Sequence, residues 1–317
     1  MAQSAGQSVV LVNPVYAPTQ ARLEENYKVH KLWEAQDKAE FLKDHAAEVR
    51  AIVTDGGSGA SAELIRQLPN VEVITVFGVG VDAVDLDYCK ANGIRVGNTP
   101  DVLTDDVADL ALALCLATYR RIPFGHEYAC AGKWVTDGPA PLTTRFAGSS
   151  VGIFGLGRIG QAIATRLEGF GCKISYCNRN QRNDVEYQYY ADVVAMAAAV
   201  DCFVIAVAPT PAMAGVVGSD VLSALGPTGY LVNISRGLVV DESALATAVK
   251  AGTIAGAGLD VFESEPKIHE QLINLPNVVL QPHVASGTSQ TRTAMGDLML
   301  ENMANHFEGR ELTAFVA

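Results

Sequence analysis

The sequence predicts an α/β protein built from two doubly wound parallel-sheet domains, the first of them discontinuous, and three observations carry that reading. Short β-rich runs alternate with helical stretches through the first third of the chain, and a second, more regular alternation starts at Val151. The tail, Gln290 to Glu308, sets Ala294, Leu298, Met299, Met303 and Phe307 at helical spacing, as a helix returning to the first domain would. Alternation of this kind implies parallel strands joined by crossover helices that cover both faces of a sheet. At 317 residues the chain exceeds one typical domain, which holds about 100 to 150.

In the first domain the strand candidates are Val9 to Val12, Val29 to Trp33, Val49 to Val53, Val71 to Val76 and Ile94 to Val96. Helices are expected over Asp37 to His45 and Ser61 to Leu68. A long helix follows from Thr104, with Asp105, Asp106 and Asp109 near the positive end of its dipole. Pro123, Gly125, Gly132, Gly138, Pro139 and Pro141 mark an irregular connection. Six strands are then expected at Ser150 to Phe154, Lys173 to Cys177, Cys202 to Ala208, Tyr230 to Ile234, Gly256 to Asp260 and Val278 to Gln281. These runs set the domains at 1–101 and 102–286, with 287–317 as the returning helix.

Composition narrows the functional classes. The chain is 49% hydrophobic and 18% charged, against roughly 25% charged in an average domain, which favours large interiors. Its 23 Lys and Arg against 35 Asp and Glu give a net charge of -12, so nucleic acid is not an expected partner. Met1 to Pro14 carries no Lys or Arg ahead of its short apolar run, unlike an export signal, and Leu110 to Ala117 is far too short to span a bilayer. A cytoplasmic protein without membrane partners is expected. Six cysteines without a C-x-x-C pair read as reduced thiols, and no metal site is expected. His30, His45, His126, His269 and His306 have no companion motif and read as surface or packing residues.

The chemistry starts at Gly155-Leu156-Gly157-Arg158-Ile159-Gly160, after a strand and at the opening of a helix, the context of a Rossmann-like dinucleotide turn. The first glycine permits the turn, the second the approach of a pyrophosphate, the third helix-on-strand packing. About 20 residues on, where an NAD site carries an acid, the second strand ends in Asn178-Arg179-Asn180-Gln181-Arg182. Guanidinium and amide groups can bind the 2'-phosphate of NADP; the plainer reading is solvated charges in a turn. Arg236, Glu265 and His283 each follow a strand of the second series, at one sheet edge. A His beside a carboxylate gains basicity and can deliver a proton to a carbonyl during hydride transfer; each residue taken alone can equally be structural.

Gly155 to Gly160, Asn233-Ile234-Ser235-Arg236-Gly237, Gly258-Leu259-Asp260-Val261-Phe262 through Glu265-Pro266, and Pro282-His283 together resemble the D-2-hydroxyacid dehydrogenase family. Phe77-Gly78-Val79-Gly80-Val81-Asp82 and Asn98-Thr99-Pro100 through Asp109 resemble its substrate-loop and hinge-helix segments. The arginine-bearing second strand and His283-Val284-Ala285-Ser286-Gly287-Thr288 are most similar to the NADPH-favouring glyoxylate/hydroxypyruvate and hydroxyphenylpyruvate reductases. The resemblance implies that Arg236, with the Val79 and Gly80 N–H groups, binds a 2-oxo acid, and that Glu265 orients His283 as proton donor, giving the D-alcohol. It implies NADP(H) contacts at Thr104, Leu156, Arg158, Ile159, Asn178, Arg179, Asn180, Ala208, Pro209, Thr210, Ile234, Ser235, Arg236, His283, Ser286 and Gly287, with Asp260 facing the carboxamide. Arg292 matches a second substrate arginine or is a surface charge; Trp134 is a dimer contact, a pocket wall or core, with core the default. A homodimer and closure of the two domains on the cofactor are further implications. An NAD-linked dehydrogenase of the same fold and a redox-sensing corepressor remain the alternatives.

Overall fold

The computed structural model describes residues 6–317, and these separate into two compact units: residues up to Leu103 together with Ser286–Ala317, and Thr104–Ala285. The breaks lie two residues later and one residue earlier than the sequence expectation, because the long helix begins at Thr104 and the chain leaves the second unit straight after Ala285.

The first unit holds β1 (Ser8–Leu11), β2 (Lys28–Lys31), β3 (Val49–Asp55), β4 (Val73–Phe77) and β5 (Arg95–Gly97), all parallel, in the order β2-β1-β3-β4-β5. This is a doubly wound order. β1 and β4 are buried throughout, as apolar strands covered on both faces must be. β2 stops at Lys31, before Trp33, because Leu32–Glu34 turns into a 3-10 helix. Ser61 caps the helix Ala62–Arg66 by accepting from the Leu64 N–H. The returning helix, Ser289–Phe307, packs on β4 and on the helix Ala17–Asn26, which the sequence reading did not mark. Gly296 permits that contact: a Cβ there would stand 2.0 Å from Thr19 Oγ1. Asn302, fully buried, donates to the Asn98 carbonyl at 3.1 Å and accepts from the Ala314 N–H at 3.0 Å.

The second unit holds β6 (Ser150–Phe154), β7 (Lys173–Cys177), β8 (Gln188–Tyr190), β9 (Cys202–Ile205), β10 (Tyr230–Asn233), β11 (Gly256–Leu259) and β12 (Val278–Leu280). They run parallel in the order β12-β11-β10-β9-β6-β7-β8, the Rossmann order extended by one strand. Seven strands therefore replace the six expected; β8 is a three-residue edge strand with no buried residue, too short and polar to announce itself. β9 ends at Ile205 and not Ala208, which releases 206–210 as a loop at the carboxyl edge of the sheet. The helix Thr104–Tyr119 lies on β10, β11 and β12. At Gly258 a Cβ would come within 2.9 Å of Thr118 Oγ1, so the glycines of β11 set how closely this helix sits.

Two sequence expectations fail between Pro123 and Thr144. The segment is not irregular throughout: helices span Ile122–Cys130 and Lys133–Thr136, and Pro123 occupies the first turn, where its missing N–H costs no hydrogen bond. Trp134 is not core, since it is 71% exposed, with Val135 at 91% and Leu142 at 98% beside it in sequence. All six cysteines are free thiols, and no helix among the described residues is long and apolar enough to cross a membrane.

Candidate active site

Parallel strands of the second unit end on one edge, so the loops that follow β6, β7, β9, β10, β11 and β12 collect there. The glycine turn after β6 shows three separate constraints. Gly155 has φ +103°, and a Cβ on it would lie 2.5 Å from the Val207 backbone. A Cβ on Gly160 would lie 2.2 Å from the Gly155 carbonyl oxygen. Gly157 has nothing within 4 Å of that position, and no side chain caps the helix Arg158–Glu168 that it begins. The helix start without a side-chain cap and the open space at Gly157 fit a pyrophosphate.

The segment after β7 divides into residues that brace the turn and residues left outward. Asn178 Oδ1 accepts from the Leu156 N–H at 2.7 Å. Arg182 donates from Nη1 to the Leu156 carbonyl at 2.8 Å and from Nε to Asp184 Oδ1 at 2.9 Å. Arg182 is therefore engaged in holding the turn, not a solvated charge. Arg179 and Asn180 are exposed, and Arg179 has no hydrogen bond or ion pair among the described residues.

After β10, Asn233 shapes the loop that presents Arg236. Its buried amide accepts from the Ser235 N–H and donates to the Arg236 carbonyl, each at 3.0 Å, while Ser235 Oγ donates to the Val207 carbonyl at 2.5 Å. Gly237 brings this loop against the next one, for a Cβ there would sit 1.8 Å from the Phe262 carbonyl carbon. Glu265 Oε1 accepts from the Phe262 N–H at 2.9 Å, and Oε2 lies 2.7 Å from His283 Nδ1. Burial raises the Glu265 carboxyl, yet the hydrogen bonds from His283 and the Phe262 N–H, with the charges of His283 and Arg236, hold it below the usual carboxylate range. With Nδ1 engaged, His283 Nε2 has no hydrogen-bond partner among the described residues.

Asp260, fully buried, fixes the His283 loop. Its Oδ1 and Oδ2 accept from the Val284 and Ala285 N–H groups at 2.8 and 3.0 Å, and its carbonyl accepts from the His283 N–H at 2.8 Å. Burial pushes this carboxyl up, and the two N–H bonds pull it down only in part. His283 adopts φ +53°, a left-handed backbone that costs a side-chain-bearing residue about 1–2 kcal/mol. Sequence reasoning missed Asn233 and Glu242 here. Glu242, 4% exposed, accepts from the Glu263 N–H at 2.7 Å and so supports the loop that carries Glu265; its place beside Asp241 at the start of the helix Glu242–Ala251 was the available signal.

Elsewhere on this edge, Ala208 is exposed, Pro209 and Thr210 are half-buried after β9, and Ile234 is buried after β10. Thr104 is half-buried at the first position of its helix. Val79, Gly80, Ser286, Gly287 and Arg292 belong to the first unit. There the Val79 carbonyl accepts from Asn98 Nδ2 at 2.8 Å, and the half-buried Arg292 guanidinium stands 5.7 Å from the Phe77 ring centre.

Burial raises the Glu242 carboxyl above 4.5, so the folded chain holds that proton more tightly than the unfolded chain. The resulting stability is present below the unfolded value and is lost as pH rises through the folded one. Glu242→Gln keeps an acceptor without the charge, and its stability relative to wild type is expected to rise in urea unfolding as pH climbs from the ordinary carboxylate range through the raised Glu242 value. A difference that stays flat with pH contradicts the buried charge. Glu242→Ala strands the Glu263 N–H, at about 1–3 kcal/mol.

Comparison with known proteins agrees with this architecture. Residues 112–285, more than half of the chain, match the family model "D-isomer specific 2-hydroxyacid dehydrogenase, NAD binding domain". The chain is 47% identical over 304 residues to a glyoxylate/hydroxypyruvate reductase A of Arabidopsis thaliana, covering 96% of this chain and 97% of the relative. It is 46% identical to the hydroxyphenylpyruvate reductase of Plectranthus scutellarioides at the same coverage. The crystal structure of an NADPH-dependent glyoxylate/hydroxypyruvate reductase from Sinorhizobium meliloti, in complex with NADP and malonate, superposes with TM-score 0.92 at 43% identity, covering 98% of this chain and 96% of that one. Similarity of this extent, running through both units, makes the chain a member of the D-isomer specific 2-hydroxyacid dehydrogenase family.

Proposed function

We propose that this chain is an NADPH-dependent reductase that converts a small 2-oxo acid, namely glyoxylate, hydroxypyruvate or (hydroxy)phenylpyruvate, to the D-2-hydroxy acid. The observation that carries the reading is the Glu265–His283 pair at 2.7 Å, with the charge of Arg236 acting on the same carboxylate. The names of the relatives and the NADP in the Sinorhizobium meliloti structure support it. NADPH supplies the hydride when bound.

The chain's own residues do the rest. The turn Gly155–Gly160 and the N–H groups opening its helix hold the pyrophosphate. Arg179 and Asn180 bind the 2'-phosphate, which a carboxylate at that position would repel. Thr104, Ala208, Pro209, Thr210, Ile234, Ser235, Ser286 and Gly287 make the remaining cofactor contacts, with Asp260 facing the carboxamide. Arg236 pairs with the substrate carboxylate in a charge-assisted bond. Val79, Gly80 and Arg292 are the substrate contacts assigned to the first unit. Ionised Glu265 holds Nδ1, so that Nε2 delivers its proton to the carbonyl oxygen.

A homodimer completes the proposal. Ile122, Trp134, Val135 and Leu142, between 54% and 98% exposed, are more bare apolar side chains than one short segment ordinarily offers to water. Six free thiols support a reducing setting such as the cytosol.

Initial rates with NADPH and NADH against glyoxylate, hydroxypyruvate, pyruvate and phenylpyruvate test the reaction; no turnover with any pair defeats it. Arg179→Ala is expected to weaken NADPH binding and leave NADH binding unchanged, and a wild-type preference for NADH overturns the 2'-phosphate assignment. His283→Gln is expected to lower kcat by at least about a hundredfold, the usual scale of a lost general acid, with NADPH affinity kept. Trp134→Glu is expected to convert the dimer to monomer by light scattering; a wild-type monomer rejects the interface.

A further inference from the structure

Three donor atoms of the first unit that the reaction does not use converge on one point. β2 turns His30 inward, where it is 8% exposed; the helix Lys38–His45 ends at His45; Glu48 follows just before β3. Glu48 Oε1 lies 2.9 Å from His45 Nδ1 and 3.3 Å from His30 Nε2, and the three atoms all fall within 4.8 Å of one another. Lys28 Nζ binds the other carboxylate oxygen, Oε2, at 2.6 Å, so Oε1 is the one turned to both rings. Ser8 Oγ, 3.3 Å from His30 Nε2, is a fourth donor atom at the same place. The Phe41 ring stands edge-on to both imidazoles, with centroids 6.4 Å from His30 and 4.8 Å from His45.

We propose that His30, His45 and Glu48 bind one divalent transition-metal ion of the zinc class. Metal–ligand bonds of about 2.0–2.2 Å in tetrahedral array set neighbouring donors about 3.3–3.6 Å apart; the His30 separation from Glu48 Oε1, 3.3 Å, meets that span, and the His45 separation, 2.9 Å, opens by about 0.4 Å to accept an ion. The two imidazoles stand with ring centres 3.9 Å apart, and the donor atoms lie within 4.8 Å of one another. Two imidazole nitrogens with one carboxylate oxygen suit zinc, cobalt, nickel or copper; magnesium and calcium take oxygen sets. His45 and Glu48, three residues apart, form a local chelate that His30 closes from the neighbouring strand. The ion ties β2 and the end of the helix to the entry of β3, at the amino edge of the sheet, whereas the Val79 loop follows a carboxyl edge. Without an ion the same atoms form only a hydrogen-bonded ion-pair cluster.

The test is a titration of chelator-treated, full-length protein with Co2+, read by visible absorption, followed by displacement with Zn2+. Wild type is expected to take about one equivalent with the absorption of a tetrahedral ion and to melt at a higher temperature with Zn2+. His45→Gln and Glu48→Gln, at partly exposed positions, are each expected to lose that equivalent and the melting shift, with far-UV circular dichroism unchanged. His126→Gln, on the exposed helix Ile122–Cys130, is expected to keep both. Absence of saturable binding overturns the proposal. So does an equivalent that survives both His45→Gln and Glu48→Gln, or one lost only with His126→Gln.

Discussion

A buried carboxylate gripping backbone N–H groups is the constraint on which the second unit's chemistry rests. Asp260 closes β11 and sits under the loop after β12, binding Val284 and Ala285 through both oxygens and His283 through its carbonyl. A carboxylate in such a place is costly unless its lone pairs are filled. Here the carboxylate's partners are the N–H groups of the two residues that follow His283, whose own N–H binds the Asp260 carbonyl and whose backbone is left-handed. The same set of hydrogen bonds thus compensates the burial of Asp260 and holds the left-handed turn at His283, and the imidazole is aimed at Glu265 before any ligand arrives.

The same economy recurs along the sheet edge, where polar side chains are spent on loops and glycines on clearance. Asn233 holds the Arg236 loop, Glu242 the Glu265 loop and Asn178 the glycine turn. Gly155, Gly160 and Gly237 each stand where a Cβ would collide with backbone. Preorganisation of this kind keeps reacting groups within the narrow tolerances that proton and hydride transfer require.

The fold class and the order of the elements were legible because parallel strands write themselves as apolar runs, and because the glycine hexad occurs with its strand and helix. What escaped was what periodicity does not encode. β8 has only three residues and no buried face, and the helix Ala17–Asn26 is mostly polar. Trp134 looked like core because large aromatics usually are, and its exposure is a property of the whole fold. Arg182 and Arg179 are equivalent in sequence; only the fold separates them, one bracing the glycine turn while the other is left outward. His30, His45 and Glu48 carry no motif because a strand, a helix end and a loop bring them together.

The first unit closes with the last segment of the chain: the helix Ser289–Phe307 lies on β4, and Phe315 pairs with Gly97. During synthesis, then, the opening strands leave the ribosome long before the helix that covers them exists, while the contiguous second unit can condense as soon as residue 285 has emerged. Contacts spanning some two hundred residues, such as Asn302 to Asn98, make the first unit the slower to form. The part of the chain made first is the part whose fold is completed last.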